Sequence, residues 1–116
     1  MGQVDPFELR CLSTVRGPDN ARILCLAGEI DGSSAPALDE MISALPGPLM
    51  LDLSEVGFCG SLGIRVLLKH YAEKLHAGAA FGVVAASPPV ARLLNIIGIA
   101  DMLGLPPVRS VRLVAS

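Results

Sequence analysis

The chain has 116 residues, a size suited to one hydrophobic core, and no Pro/Gly/Ser-rich stretch is long enough to separate two, so a single domain over 1–116 is expected, with its core over about 7–105. Hydrophobic residues make up 52% and charged residues 17%, which excludes a disordered chain, while an aromatic content of 3% without tryptophan excludes base-stacking platforms. A formal charge of −2 with no run of lysine or arginine excludes a phosphate-backbone footprint, and nucleic acid is not expected as a direct partner.

The opening Met1-Gly-Gln-Val-Asp-Pro6 lacks the basic and apolar regions of a signal peptide, and Pro6 stands where a myristoylation motif wants Ser or Thr. From Phe7 to Val15 apolar residues alternate loosely (Phe7, Leu9, Cys11). Ala21 to Leu26 continues the pattern after the turn Gly17-Pro-Asp-Asn20, which predicts an antiparallel hairpin. After Gly28-Glu-Ile-Asp31, Ser33 and Ser34 are good cap residues, and Leu38, Met41, Ile42 and Leu45 follow at the spacing of one helical face. Pro46-Gly47-Pro48 ends that helix.

Leu49-Met-Leu-Asp-Leu53 is a nearly continuous apolar run, which predicts a central strand buried on both faces. The stretch Asp52 to Gly63 reads as this strand leading into a helix that opens at Ser61. Ile64, Leu67, Leu68, Tyr71 and Leu75 mark its apolar stripe, with Arg65, Lys69, His70 and Glu73 off it, and Gly78 suits its C-terminal cap. Ala79 to Ala86 predicts another buried strand. Ser87-Pro88 then starts a third helix with Val90, Leu93, Leu94 and Ile97 on its core face and Gly98 at its end. The tail holds an edge strand at Met102–Leu105 and a last helical turn or two within Val108–Ala115. Helices between the later strands force crossover connections, so the class is α/β, with a mixed, mostly parallel sheet of about four to five strands and helices packed mainly on one side. No stretch of about eighteen apolar residues occurs, so no membrane span is expected and a cytoplasmic location is.

Cys11, Cys25 and Cys59 are odd in number and far apart, and His70 and His76 are the only histidines; reduced thiols and no metal site are expected. Ser61 is the residue that could carry chemistry. Its plain reading is a helix cap. The alternative is a phosphate acceptor, since free N–H groups and the helix dipole favour negative charge there. A serine-hydrolase elbow is disfavoured because the residue two before Ser61 is Cys59 rather than glycine, and no base is delivered to it. Gly57, Gly60 and Gly63 have the wrong spacing for a dinucleotide turn, and no Walker motif occurs. No catalytic residue, no enzyme activity and no cofactor are expected.

Three motifs in order, Gly28-Glu-Ile-Asp31, then Asp52-Leu-Ser-x-Val-x-Phe-x-x-Ser-x-Gly63, then Ser87-Pro88-x-Val-x-Arg-Leu-Leu94, make the chain similar to the STAS domain family, in particular to bacterial anti-sigma-factor antagonists. The resemblance runs from about Phe7 to Leu105. It implies a partner-switching regulator of transcription in the stress response. The dephosphorylated antagonist binds an anti-sigma factor that is also a serine kinase, and so frees a sigma factor; phosphorylation ends the binding. By position the acceptor is Ser61. Partner contacts are implied for the neighbouring loop with Asp31, Ser33 and Ser34, and for Cys59, Gly60, Leu62, Gly63 and Arg65. The family commonly has an acidic residue before the acceptor and a second Ser or Thr after it, where this chain has Gly60 and Leu62. The other readings are a constitutive adaptor or scaffold subunit with Ser61 a plain cap, and, more remotely, a small-ligand or nucleotide-binding enzyme. A weak homodimer through the sheet edge is compatible with this organisation.

Overall fold

A computed structural model describes residues 5–105. Leu49, Leu51 and Leu53 are fully buried, whereas Met50 and Asp52 between them are only half-buried. That period of two belongs to a strand with one face under helices and the other open, not to the strand buried on both faces that its apolar run suggests. Leu38 and Ile42 from the first helix, Leu67 from the second, and Val90 and Leu94 from the third share one buried cluster with these leucines.

The elements are β1 (Arg10–Arg16), β2 (Arg22–Ile30), α1 (Ala35–Ser43), β3 (Leu49–Cys59), α2 (Ser61–His76), β4 (Phe81–Ala86) and α3 (Pro88–Ile96). The sheet order is β1-β2-β3-β4, with β1 antiparallel to β2 and the other pairs parallel. The expected hairpin is present, and its turn uses Asp19 and Asn20 at positive φ. Its first strand starts later than the alternation suggests. Leu9 is buried, but Phe7 is 63% exposed and Cys11 is exposed, because β1 is an edge strand reaching beyond the helices.

β2 runs on past Leu26 to Ile30, through a glycine at φ 107. Any side chain at Gly28 would run into the carbonyl of Glu8, so the Gly28-Glu-Ile-Asp31 motif is a strand end bent to clear the N-terminal segment. β3 is longer than predicted in the same sense, running to Cys59 directly ahead of α2.

α2 is rotated relative to its expected face. Its buried positions are Gly63, Leu67, His70 and Lys74, while Leu75 is 63% exposed and Leu68 lies partly in solvent. These polar side chains are buried because each has a partner on α1 or just beyond it. His70 Nε2 donates to Asp39 Oδ1 at 2.5 Å, the direction being set by an ionised carboxylate having no proton to give. Lys74 Nζ donates to the carbonyls of Leu45 at 3.0 Å and Gly47 at 2.6 Å, where the chain leaves α1. Replacing Lys74 by Ala leaves both carbonyls without this donor, and a loss of about 1–3 kcal/mol in unfolding free energy is expected in a urea titration.

α3 begins as expected, with Ser87 before Pro88, although the Ser87 hydroxyl donates to Val56 O at 2.5 Å instead of capping its own helix. Val90 and Leu94 are buried, but Ile97 is 43% exposed because it lies past the last helical residue. Met102–Leu105 is a series of turns and not an edge strand. Leu103 and Leu105 are buried there, and one backbone bond, Val83 N–H to Leu103 O at 2.8 Å, ties the segment to β4. The helical turns expected within Val108–Ala115 lie outside the described residues.

Candidate functional site: the junction of β3 and α2

Two chain segments meet at the ends of β2 and β3. The Gly60 N–H donates to the Ile30 carbonyl at 2.8 Å, and Gly60 O then accepts the first helical bond of α2 from Ile64 N–H at 3.0 Å. Gly60, in an extended conformation, is therefore the cap residue and Ser61 the first helical one, with no side-chain bond capping the helix. The plain reading of Ser61 as a cap is thus corrected. Its side chain is exposed and takes part in no hydrogen bond among the described residues.

The loop after β2 is built around one carboxylate. Asp31 Oδ1 accepts from the backbone N–H of Ser33 and of Ser34, both at 3.0 Å, and from the Ser33 hydroxyl at 2.8 Å. The Ser33 hydroxyl, followed by the Ser34 N–H, holds the Asp31 carboxyl below the usual carboxylate range. Ser34 sits at the cap position of α1 without capping it. Its hydroxyl accepts from Asp31 N–H and donates to Glu29 O, each at 2.9 Å, and so closes the loop on itself. Leu62 joins this loop to α2, its Cδ1 lying 3.2 Å from where a Cβ on Gly32 would stand, while the residue as a whole is 44% exposed.

The residues expected around Ser61 divide by depth. Asp31, Ser33, Ser34, Gly60, Leu62 and Arg65 lie at or near the surface, whereas Cys59 and Gly63 are buried. A Cβ at Gly63 would collide with Ile30 and come within 2.9 Å of Cys59 Sγ, so the missing side chain lets α2 start hard against β2. Burial pushes the Cys59 thiol up to about 11, which leaves almost no thiolate at neutral pH. Iodoacetamide applied to the native protein is therefore expected to label exposed Cys11 and spare Cys59, as read by peptide mass spectrometry. No cluster of His, Cys, Asp or Glu suited to a metal ion exists among the described residues.

Two grooves flank Ser61. One, of about 480 Å³, runs between α1 and α2 past Gly32, Pro36, Leu62 and Val66, and contains the Lys69–Asp39 ion pair at 3.1 Å. The other, of about 510 Å³, runs between the start of α2 and the end of α3 past Phe58, Ile64, Leu93 and Ile97. Arg65 lines both. The His70 contact and then the Lys69 ammonium hold the Asp39 carboxyl below its usual range. This α1–α2 clasp is absent from the expected site residues, although Gly63, Leu67, His70 and Lys74 themselves lie at helical spacing. The polar residue types hid a buried stripe.

Residues 13–106 match the family model described as "Mlab, STAS domain". The chain is 36% identical over 90 residues to proteins called anti-sigma-F factor antagonist RsfB from two strains of Mycobacterium tuberculosis, covering 74% of this chain and 73% of each relative. The crystal structure of an anti-sigma factor antagonist from Mycobacterium paratuberculosis superposes with a TM-score of 0.72 at 33% identity, covering 97% of both chains. SpoIIAA, an anti-sigma factor antagonist in its unphosphorylated form, shares the fold at a TM-score of 0.66 and 14% identity, over 91% of this chain and 92% of its own. With its mixed four-stranded sheet, three helices and matched residues, this chain belongs to the STAS domain family.

Proposed function

We propose that the chain is an anti-sigma-factor antagonist. In its unphosphorylated form it binds an anti-sigma factor with serine kinase activity through the surface around Ser61, and phosphorylation of Ser61 ends that binding. The observation that carries this reading is the position of Ser61, exposed and free of hydrogen bonds among the described residues at the first position of α2, between two grooves edged by Phe58, Leu62 and Ile97. The names of the relatives support the partner class. Asp31, Ser33, Ser34, Gly60, Leu62 and Arg65 supply contact surface, while Cys59 and Gly63 act from beneath by seating the helix.

In the switching step the Ser61 hydroxyl oxygen attacks the γ-phosphorus of ATP, ADP leaves, and the hydroxyl proton passes to a base of the kinase. The added charge, about −1.5 to −2, is tolerated by the N–H groups of the helix start but must be desolvated against a partner pressed on the apolar rim. The fold itself has no need to change. No helix among the described residues is long and apolar enough to cross a membrane, which fits action away from the bilayer.

The test is incubation with ATP and the purified anti-sigma-F factor of M. tuberculosis, followed by intact-mass analysis. One added phosphate, mapped to Ser61 and absent from Ser61→Ala, supports the switch. Tight binding without phosphate transfer supports a constitutive adaptor instead. Leu62 favours that second reading, since an aliphatic side chain stands where the family commonly has a second hydroxyl.

A further inference from the structure

We infer that the groove between the start of α2 and the end of α3 receives an apolar segment of the anti-sigma factor that carries a carboxylate, with the carboxylate paired to Arg65. This rests on the antagonist reading and adds the chemistry of the partner to it. Phe58 and Ile97, which line this groove, are 49% and 43% exposed, and apolar side chains that far out of the core mark a surface awaiting cover. Phe58, Ile64, Leu93 and Ile97 line the groove, and Ser61 stands on its edge.

The electrostatics select the occupant. Arg65 is the one charged residue among those lining this groove, and it forms no ion pair or hydrogen bond among the described residues. In the α1–α2 groove, which Arg65 also borders, the charges of Lys69 and Asp39 already satisfy each other, so what sets the α2–α3 groove apart is its otherwise uncharged, apolar lining. A basic partner segment would oppose Arg65. A purely apolar one would strip its water without return, whereas a carboxylate on an apolar segment satisfies both features.

Where the family commonly has an acidic residue before the acceptor, this chain has Gly60, and a Cβ there would lie 3.3 and 3.5 Å from two ring carbons of the half-exposed Phe58, so the phenyl ring packs over the bare glycine. The site has exchanged acid for hydrocarbon. Arg65 is also four residues after Ser61 on the same helix, within reach of a phosphate there, so phosphorylation would draw away the guanidinium that the partner's carboxylate needs.

The experiment measures binding of the full chain to the purified anti-sigma-F factor of M. tuberculosis by isothermal titration. Arg65→Glu, Ile97→Asp and Phe58→Asp, each checked for an unchanged circular dichroism spectrum, are expected to weaken binding tenfold or more. Phe58→Ser stands in if the Asp variant fails to fold. Leu75→Asp, an exposed apolar position at the far end of α2, is expected to bind as wild type. The wild-type affinity should also fall with added salt, and the Arg65→Glu affinity should rise with it. Groove variants that bind as wild type, while Leu62→Asp on the α1 side abolishes binding, would overturn the inference and leave the antagonist reading standing. No binding by the wild-type chain would overturn that reading, and the inference with it.

Discussion

Ser61→Asp is expected to lower affinity for the anti-sigma factor by about 100-fold or more, about 2.7 kcal/mol, while leaving the unfolding midpoint unchanged or slightly raised. The two halves of this result have separate causes. At the first position of α2 a carboxylate meets unpaired N–H groups and the positive end of the helix dipole, a gain of about 0.3–1 kcal/mol when exposed. At the interface the same carboxylate must shed water against Phe58, Leu62 and Ile97, and it opposes any carboxylate brought to Arg65. Calorimetric binding and thermal unfolding of one preparation separate the effects. Equal affinity for Ser61→Asp and wild type would remove the switch and leave a constitutive antagonist.

Gly63→Val is expected to destabilise the protein by about 3 kcal/mol, and Gly63→Ala by a smaller amount of about 1–2 kcal/mol. The sign for alanine depends on two opposing effects. Removing a glycine from a helix interior favours folding by about 1 kcal/mol. Against that, the new methyl strikes the γ-methyl of Ile30, whose β-branched side chain has little rotamer freedom, and approaches Cys59 Sγ at 2.9 Å. Ile30 is fully buried at the end of β2, so the strain is relieved by lifting the first turn of α2, the turn that carries Ser61. Urea unfolding of both variants checks the order, and an alanine variant more stable than wild type would show that helix and strand do not approach so closely. Partner affinity of Gly63→Ala is expected to fall even in the folded fraction, because the helix start moves relative to the Asp31 loop.

Much of the local architecture was readable in the chain. Pro88 after Ser87 marked the start of α3 correctly because proline's fixed φ and missing N–H suit only the first helical turn. The run from Asp52 to Gly63 marked a strand passing directly into a helix, and the ordered motifs pointed to the STAS family that residues 13–106 match. Other expectations failed where a residue's type concealed its surroundings. His70 read as lying off the apolar stripe, since an unpaired charge is costly to bury, yet Asp39 supplies it a partner from thirty or so positions away, as the Leu45 and Gly47 carbonyls do for the equally buried Lys74. Leu75 and Ile97 read as core from periodicity, but periodicity reports a face and not whether anything covers it.

The sequence by itself thus determined what short-range physics governs: the order of strands and helices through α3, the proline and glycine punctuation, and the serine where strand gives way to helix. Tertiary structure alone decided which face of α2 is buried and that Gly60, not Ser61, caps it. It alone closed the Asp31 loop against Leu62 and set Arg65 in an apolar groove beside Phe58 and Ile97. Those features depend on contacts between segments distant in the chain, and the partners that make burial of a charge or exposure of a leucine tolerable are not encoded within one turn of the residue concerned.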